Sequence, residues 1–308
     1  MARHKHFLSL SDYSPLEIKQ LLDTADEMKK HPRRFRKALK GQILAMIFEK
    51  SSTRTRVSFE AGMQKLGGVA QFLSSRDIQL GRGEPISDTA AVLSRYVDGI
   101  MARTFAHQTV LDLAAYGTVP VINGLTDLEH PCQVLADLQT IREKFGKLEG
   151  LKFTYIGDGN NMAHSILQGT GKVGMDCVIV TPPDPRYQCR SEIVDAARAD
   201  HEQQGTRLVL TDDLGAVHGS HVVYTDTWAS MGQEDEKAER LEAFAPYTVN
   251  LPVMESAGKN AIFMHCLPAY RGSEVAAEVI DGPQSVIYDQ AENRMWSQMA
   301  VLHSLMAL

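Results

Sequence analysis

Hydroxyl and guanidinium side chains cluster in one short segment near residue 50. The segment Ser-Ser-Thr-Arg-Thr-Arg at 51–56 follows an apolar run, and apolar residues at helical spacing follow it in turn. It therefore stands at the start of a predicted helix, where backbone N–H groups and the helix dipole favour an anion. Guanidinium groups also bind phosphate through two parallel hydrogen bonds. The pattern indicates a site for a phosphate dianion, whereas hydroxyls without the two arginines would be typical of a helix cap.

A second polar pair occurs in the segment His130-Pro131-Cys132-Gln133, which opens another predicted helix. Proline suits the first position of a helix because its missing N–H group needs no partner there. His130 and Gln133 lie one helical turn apart, so both can face one small polar ligand. The position alone fits a structural histidine equally well.

Three polar segments in the second half also follow predicted strands. The Gly-Asp-Gly-Asn-Asn segment at 157–161 is an incomplete dinucleotide fingerprint, because Met162 replaces the third glycine. Its asparagines fit either a helix cap or a substrate contact. Asp226 precedes the Ser-Met-Gly segment at 230–232, and a carboxylate beside a flexible loop can capture a cationic amine. Cys266 ends another apolar run, where a buried cysteine more often packs than reacts.

The elements that would position these residues alternate between strand and helix. The segment Ser14-Pro15-Leu16-Glu17 is a capping box, and it predicts a helix over 15–30. Further helices are predicted at 54–66, 88–96, 131–145, 161–173, 190–204 and 235–245. Strands are predicted at 43–48, 69–73, 98–103, 119–122, 152–157, 176–181, 207–210, 221–225, 248–251 and 261–265. This alternation indicates an α/β fold with parallel sheets flanked by helices.

The chain of 308 residues is too long for one ordinary core and predicts two domains. A glycine-bounded segment at 145–150 lies between a predicted helix and a predicted strand. We place the domain boundary there, with residues 1–147 in the first domain and residues 148–289 in the second.

Composition excludes several classes of function. Thirty-eight acidic residues outweigh 32 basic ones, and the net charge of −6 argues against nucleic acid as a partner. No apolar stretch approaches the roughly 20 residues of a membrane span. The basic start of the chain lacks an apolar region of the kind found in signal peptides, so we expect a cytoplasmic protein. Its four cysteines lack metal-ligand spacing, which favours free thiols.

Together the motifs resemble those of the aspartate/ornithine carbamoyltransferase family over nearly the whole chain. The Ser-Thr-Arg-Thr-Arg segment at 52–56 and the His-Pro-Cys-Gln segment at 130–133 resemble motifs common to both branches. The segments at 226–232 and 265–268 resemble those of the ornithine branch. The resemblance implies that carbamoyl phosphate and L-ornithine are the substrates and that citrulline and phosphate are the products. It also implies that no metal or other cofactor takes part, and that the C-terminal helix at 290–308 returns to the first domain.

The resemblance assigns a role to each motif residue. The phosphate would be held by Ser52, Thr53, Arg54 and Thr55, with Arg103 assisting. The carbamoyl moiety would contact Arg103, His130, Gln133, Cys266, Leu267 and Arg294. Ornithine would be bound by Asn161, Asp226, Ser230 and Met231. Gln79 resembles a residue that reaches the neighbouring subunit's site, which implies a homotrimer, with larger assemblies of trimers also open.

The expected chemistry explains these residue types. An amine with a pKa near 10.4 is mostly protonated at pH 7, so it must lose a proton before it attacks. Asp226 would position the amine, Cys266 would accept or relay the proton, and Arg103 and His130 would stabilise the oxyanion that forms. In the last helix the chain departs from the family pattern, since Trp296 and Met299 replace the usual His and Lys. We expect that difference to affect local packing or a contact behind the site residues, and not the reaction.

Three alternatives remain open at this point. The acceptor could be another amine such as aspartate or putrescine, although a second anionic substrate would favour arginines where Ser230 and Met231 stand. A nicotinamide dehydrogenase would use the glycines at 157 and 159. A protein that binds ligands without catalysis would retain the fold but not the polar motif residues, all of which this chain has.

Overall fold

The computed structural model of the chain describes residues 5–78, 83–229 and 236–307. The chain divides into two compact units. The first comprises Met1–Gln139 and Glu292–Leu308, and the second comprises Thr140–Ala291.

Helices and strands alternate along both units. From the N-terminus to the middle of the chain they are α1 (Pro15–Lys30), β1 (Ile43–Phe48), α2 (Thr53–Leu66), β2 (Val69–Ser74), α3 (Ile86–Leu93), β3 (Gly99–Arg103), α4 (His107–Tyr116), β4 (Val121–Leu125) and α5 (Pro131–Phe145). From there to the C-terminus they are β5 (Lys152–Ile156), α6 (Asn161–Lys172), β6 (Asp176–Val180), α7 (Ser191–Gln204), β7 (Leu208–Thr211), β8 (Val222–Thr225), α8 (Lys237–Phe244), α9 (Leu251–Ala257), β9 (Ile262–His265), α10 (Ala277–Ile280) and α11 (Ile287–Met306).

The first unit is built on a four-stranded parallel sheet in the order β2-β1-β3-β4. The chain passes from β1 to β2 on one side of the sheet and then crosses back over β1 to form β3 on the other side, so the strand order reverses between β1 and β3. Ligands of open α/β sheets bind outside the carboxyl ends of the strands at such a reversal. Phe48 and Arg103 are paired residues at these two carboxyl ends.

The second unit contains a five-stranded parallel sheet in the order β7-β6-β5-β8-β9. Here the reversal lies between β5 and β8, where Ile156 pairs with Thr225. The Gly-Asp-Gly-Asn-Asn segment follows β5 directly, and Asp226 follows β8. The predicted α/β fold with two parallel sheets is therefore confirmed.

Local signals in the sequence explain where several helices begin and end. The side chain of Ser14 accepts a hydrogen bond from the Glu17 amide, and Glu17 caps Ser14 in return, as the capping box predicts. Ser52 caps α2, and Gly67 ends it in the left-handed region with φ of 89°. Buried aliphatic side chains of β1 and β3 pack with those of α3 and α4 to form one core of the first unit.

The predicted strand at 248–251 is wrong. Only Val249 forms a bridge, which pairs it with Val275. Asn250 instead caps α9 through a bond of 3.2 Å from the Val253 amide to its side-chain oxygen. An asparagine followed by Leu251-Pro252 is a helix start signal, and it outweighs the short apolar run here.

The C-terminal helix α11 contacts helices of the first unit, as predicted. Lys29 Nζ donates to Asn293 Oδ1 over 2.8 Å. A Cβ atom at Gly62 of α2 would lie 3.1 Å from Met299 Cγ, so a side chain there would crowd α11. Met299 is completely buried, and Trp296 Nε1 donates to Glu292 Oε1 over 3.0 Å. The two departures in this helix thus serve packing and a contact within the helix.

Among the described residues, none of the helices has both the length and the apolar character that a membrane crossing demands.

The packing of α11 can be tested at Leu302, which is fully buried. We expect Leu302→Ala to lower the free energy of unfolding of the first unit by about 2–5 kcal/mol, because truncation leaves a cavity. Urea titration followed by fluorescence measures this quantity. The matched control is Ser304→Ala, which lies on the exposed side of the same helix and should stay within about 0.5 kcal/mol of the parent protein. Equal effects of the two substitutions would contradict the packing of this helix.

Candidate active site

The polar residues predicted for the first unit converge on the strand reversal between β1 and β3. The segment with the hydroxyl and guanidinium side chains follows β1 directly and leads into α2, whose N-terminal cap is Ser52. Ser52 Oγ accepts a hydrogen bond of 3.2 Å from the Thr55 amide. This places Thr53, Arg54 and Thr55 in the first turn of α2, where helix N–H groups lack partners within the helix and the dipole is positive.

Arg294 of α11 joins this loop to the start of α5. Its Nη1 atom donates to Gln133 Oε1 over 2.6 Å, and its Nη2 atom donates to Thr55 Oγ1 over 3.2 Å. Gln133 Nε2 in turn donates to Asp137 Oδ1 over 2.8 Å. All four side chains are buried, with Arg294 only 3% exposed. The predicted residues Thr55, Gln133 and Arg294 therefore form one network.

Positive charge accumulates around His130. Burial, followed by the positive charges of Arg294, Arg103 and Arg54, lowers the pKa of His130 well below its ordinary value. The imidazole is therefore neutral at pH 7, and a neutral ring can donate one hydrogen bond to a carbonyl oxygen. Arg103, which ends β3, is 8% exposed and completes the group. The first unit thus offers a mostly buried cationic site with a neutral donor beside it.

Two residues near this site were missed by sequence reasoning. Burial, aided by the positive charge of Arg103, lowers the pKa of Lys50, whose ammonium group lies 4.5 Å from the centre of the Phe105 ring. Asp137, which orients the Gln133 amide, was also missed. Lys50 directly precedes the hydroxyl segment, and Asp137 lies one helical turn after Gln133, so spacing could have indicated both. The predicted residue Gln79 lies outside the described residues.

A second cluster forms around Asp226 in the second unit. The Asp226 carboxylate accepts hydrogen bonds from Cys266 Sγ at 3.0 Å and from Asn160 Nδ2 at 3.2 Å. The backbone amide of Thr227 adds a third bond of 2.8 Å. Residues at the ends of β5, β8 and β9 thus meet at one carboxylate that is 7% exposed. Asp226 and Cys266, which the family resemblance assigns to the same amine, are hydrogen-bonded to each other.

The two neighbouring asparagines have different positions. Asn160 caps α6, because its Oδ1 atom accepts hydrogen bonds from the amides of Met162 and Ala163 at 2.9 and 3.3 Å. Its Nδ2 atom remains free to contact Asp226, so Asn160 both caps the helix and holds the acid. Asn161 is the first residue of α6. The predicted residues Ser230 and Met231 lie outside the described residues.

His265 anchors the loop that carries Cys266 and Leu267. Its Nδ1 atom accepts a hydrogen bond of 2.9 Å from the Leu267 amide. Its Nε2 atom lies 3.3 Å from Glu274 Oε1, which also accepts a bond from the Tyr270 amide. Since Nδ1 is an acceptor, Nε2 carries the proton and donates to Glu274.

Packing accounts for Gly159 without a dinucleotide. A Cβ atom at Gly159 would lie 2.3 Å from the Cys189 amide nitrogen, so close backbone approach requires glycine there. The Gly159 amide donates to Tyr187 O over 2.8 Å. Between the glycines, Asp158 forms an ion pair of 2.9 Å with Arg240, and burial raises the pKa of Asp158 to about 6. Internal packing therefore explains Gly159 of the incomplete fingerprint, and this glycine no longer supports the dehydrogenase alternative.

In the described part of the chain, the side chains of Asp226, His265 and Cys266 have ligand atoms within 4.8 Å of one another, close enough to hold a metal ion. Both nitrogens of His265 already make hydrogen bonds. Cys266 Sγ and the Asp226 carboxylate already share one proton, and Zn²⁺ in place of that proton would have two of the four ligands of a tetrahedral zinc site.

The fold and the two clusters define a class: two-domain α/β enzymes in which one unit presents buried cations and the other presents a carboxylate. Residues 5–143 match the carbamoyl-P binding domain of aspartate/ornithine carbamoyltransferases, and residues 149–305 match their Asp/Orn binding domain. The chain belongs to the aspartate/ornithine carbamoyltransferase family.

Full-length relatives lie in the ornithine branch of this family. The chain is 55% identical to an ornithine carbamoyltransferase from Oceanobacillus iheyensis, over 98% of this chain and 94% of the relative. It is also 55% identical to one from Methanothermobacter thermautotrophicus, over 98% and 99%. The solved structure of the ornithine carbamoyltransferase from Pyrococcus furiosus superimposes with a TM-score of 0.94 at 50% identity, covering 98% of this chain and 97% of that one.

Zinc inhibition can test the pairing of the Cys266 thiol with the Asp226 carboxylate. We expect micromolar zinc to inhibit in competition with the amine substrate, because Zn²⁺ binds a thiolate and a carboxylate and displaces the thiol proton. Initial rates at several amine and zinc concentrations measure the effect. Cys266→Ser should abolish the inhibition, whereas Cys177→Ser, at a fully buried position remote from Asp226 in sequence, is the control and should retain it. Full zinc sensitivity of Cys266→Ser would rule out this pair as the zinc site.

Proposed function

We propose that this chain catalyses transfer of the carbamoyl group of carbamoyl phosphate to the side-chain amine of L-ornithine, giving L-citrulline and phosphate. The observation that carries the proposal is the charge of the second cluster. Within the residues that the structure describes, Asp226 accepts three hydrogen bonds but forms no ion pair. Arg240, the nearby cation, is paired with Asp158 and Glu236. A carboxylate without a cationic partner favours a cationic acceptor such as ornithine over an anionic one such as aspartate.

The first unit supplies the groups for carbamoyl phosphate. We assign the substrate to residues 1–147 together with 290–308. Its phosphate binds the first turn of α2 through Ser52, Thr53, Arg54 and Thr55, with help from Arg103. Its carbamoyl group contacts Arg103, His130, Gln133 and Arg294, with Cys266 and Leu267 completing its surroundings. Support comes from the buried cations around neutral His130 and from the network that joins Thr55, Arg294 and Gln133.

Residues 148–289 bind ornithine through Asn161, Asp226, Ser230 and Met231. Asp226 holds an ammonium group by charge, and Asn160 and Cys266 fix the position of the carboxylate.

The reaction begins when the ornithine ammonium group loses a proton. The proton passes to Cys266 Sγ while the thiol proton passes to Asp226 Oδ1, the partner of its hydrogen bond. The amine nitrogen then attacks the carbonyl carbon, and a C–N bond forms. Arg103 and His130 stabilise the negative charge that develops on the carbonyl oxygen, and one such donor contributes about 3–4 kcal/mol in the transition state. The C–O bond to phosphate breaks last. As it breaks, the attacking nitrogen gives its second proton to the departing phosphate, which the arginines hold.

We further propose that the enzyme is a homotrimer in which Gln79 reaches the site of a neighbouring subunit, that it acts in the cytoplasm, and that its product enters arginine metabolism. The basis is the resemblance of the Asp-Ile-Gln-Leu-Gly segment at 77–81 to the family pattern and the ornithine-branch identity of the full-length relatives.

Two substitutions should separate the substrates. Arg54→Ala should lower kcat/KM for carbamoyl phosphate by about 100-fold or more, because the phosphate loses a guanidinium partner. Asp226→Asn should raise KM for ornithine by about 10-fold or more and leave binding of carbamoyl phosphate nearly unchanged. Citrulline formation with each substrate varied in turn gives these constants, and calorimetry gives the binding of carbamoyl phosphate.

The exposed residues Arg95 and Asp195 provide controls of matching charge. Arg95→Ala and Asp195→Asn should both behave as the parent enzyme. An Asp226→Asn enzyme that is equally impaired with both substrates would contradict the assignment of Asp226, and absence of citrulline from the parent enzyme would contradict the proposed function.

Subunit mixing tests the shared site. Gln79→Ala and Arg54→Ala proteins should each be almost inactive, but after dissociation and joint reassembly about a quarter of the sites would have both residues intact. The citrulline rate should therefore recover to roughly that fraction of the parent rate. Two Arg54→Ala preparations, dissociated and reassembled in the same way, should stay inactive. An active monomer in sedimentation, or no recovery in mixed trimers, would rule out the shared site.

A further inference from the structure

Arg240 of α8 is a buried guanidinium group that bonds to three separate parts of the second unit. Its Nη1 atom donates to Asp158 Oδ2 over 2.9 Å and to the Trp228 carbonyl oxygen over 3.0 Å. Its Nε atom donates to Glu236 Oε2 over 2.9 Å. The side chain is 5% exposed, so water replaces few of these bonds if they are lost.

Two of the three partners lie next to the residues that surround Asp226. Asp158 is two residues before Asn160, and the Asn160 amide donates to the Asp158 carbonyl oxygen over 2.8 Å. Trp228 is two residues after Asp226 in the loop that leaves β8. One nitrogen atom of Arg240 therefore joins the loop after β5 to the loop after β8, and these loops meet again where Asn160 Nδ2 donates to Asp226 Oδ2.

Aromatic packing fixes the direction of the guanidinium group. Arg240 lies 5.1 Å from the centre of the Tyr187 ring. Tyr187, Trp228 and Phe244 form a small buried cluster, with ring centres of Tyr187 and Phe244 4.7 Å apart. Phe244 lies one helical turn from Arg240 on α8. The aromatic cluster therefore fixes the position of α8, from which Arg240 bonds to the two loops.

We propose that Arg240, paired with Asp158, is a positioning residue for the amine substrate: it sets the distance between Asn160 and Asp226 and so the place of the carboxylate that binds ornithine. This inference rests on the proposed function of Asp226. Arg240 itself touches neither substrate in this assignment, because its bonds are used by Asp158, Trp228 and Glu236.

The arrangement needs the shape of arginine as well as its charge. A planar guanidinium group donates in several fixed directions at once, whereas an ammonium group on a flexible stem does not reproduce them. A buried ion pair often contributes little net stability, so its presence alone does not show what Arg240 is for. The two possible roles predict different results. If Arg240 only stabilises the fold, its substitution changes the melting temperature alone. If it positions Asp226, its substitution changes KM for ornithine.

The test compares Arg240→Gln, Arg240→Lys and Asp158→Asn by steady-state kinetics with each substrate varied. We expect Arg240→Gln to raise KM for ornithine by about 10-fold or more, because a displacement of about 1 Å is sufficient for such losses. Arg240→Lys should show a smaller increase. The kcat at saturating ornithine should fall less than about threefold, and KM for carbamoyl phosphate should not change. Asp158→Asn, which keeps the shape of the side chain, should reproduce the increase, and combining it with Arg240→Gln should add little, as expected for residues that act as one unit.

Arg186 supplies a matched control. It lies 5.4 Å from the same Tyr187 ring and pairs with Glu239 of α8 and with Asp184, but it is exposed and bonds neither Asp158 nor Trp228. Arg186→Gln should leave both KM values unchanged. An equal rise in KM for Arg186→Gln, or additive effects of the Asp158 and Arg240 substitutions, would overturn the proposal.

The remaining outcomes separate this inference from the proposed function. If Asp226→Asn raises KM for ornithine while Arg240→Gln and Asp158→Asn lower only the melting temperature, Arg240 is structural and the inference is wrong. If Asp226→Asn leaves KM for ornithine unchanged, the assignment of Asp226 itself is wrong. Should Arg240→Gln fail to fold, the isosteric Asp158→Asn variant decides the question by the same measurements.

Discussion

The polar site of the first unit depends on the burial of positive charge. Arg103 and Arg294 are almost fully buried, and their charges, together with that of Arg54, act on one imidazole. Desolvating cations is costly unless partners compensate, so such a group is stable only with well-placed acceptors or a bound anion. Gln133 and Thr55 supply acceptors for Arg294, and Asp137 orients Gln133. A phosphate dianion would add the opposite charge. Burial, together with the same positive charges, lowers the pKa of His130 and keeps its ring neutral.

The position of this charge follows from the topology of the sheet. Parallel strands point their carboxyl ends the same way, and a reversal of strand order leaves a crevice between two loops. In the first unit the loops after β1 and β3 border the crevice, and in the second unit the loops after β5 and β8 do so. The two reversals carry opposite charges: arginines lie at the reversal in the first unit, and the Asp226 carboxylate lies at the reversal in the second. At the second reversal, Arg240 connects the two loops through its hydrogen bonds to Asp158 and Trp228.

Much of the fold could be predicted because its signals are local. The capping box at Ser14, the Pro131 helix start and the apolar run of β1 depend on neighbouring residues, and each corresponds to an observed element. The strand predicted at 248–251 failed for the same reason, since the helix start at Asn250 is also local and was overlooked. Contacts across long stretches of sequence were less accessible. Arg294 and Thr55 are 239 residues apart, so only the resemblance to a family linked them beforehand.

The sequence by itself determined the chemistry of this protein: an anion loop with two arginines, a histidine and glutamine one turn apart, and an acid and a thiol at strand ends. Side-chain type and local spacing carry that information because capping, charge and periodicity act over a few residues. Only the tertiary structure decided which of these groups meet. It joined Cys266 to Asp226, gave Asn160 two roles, explained Gly159 by the Cys189 backbone, and brought Arg240 to Asp158 across 82 residues. Such pairings depend on the order of strands in a sheet, which no short segment of the chain specifies.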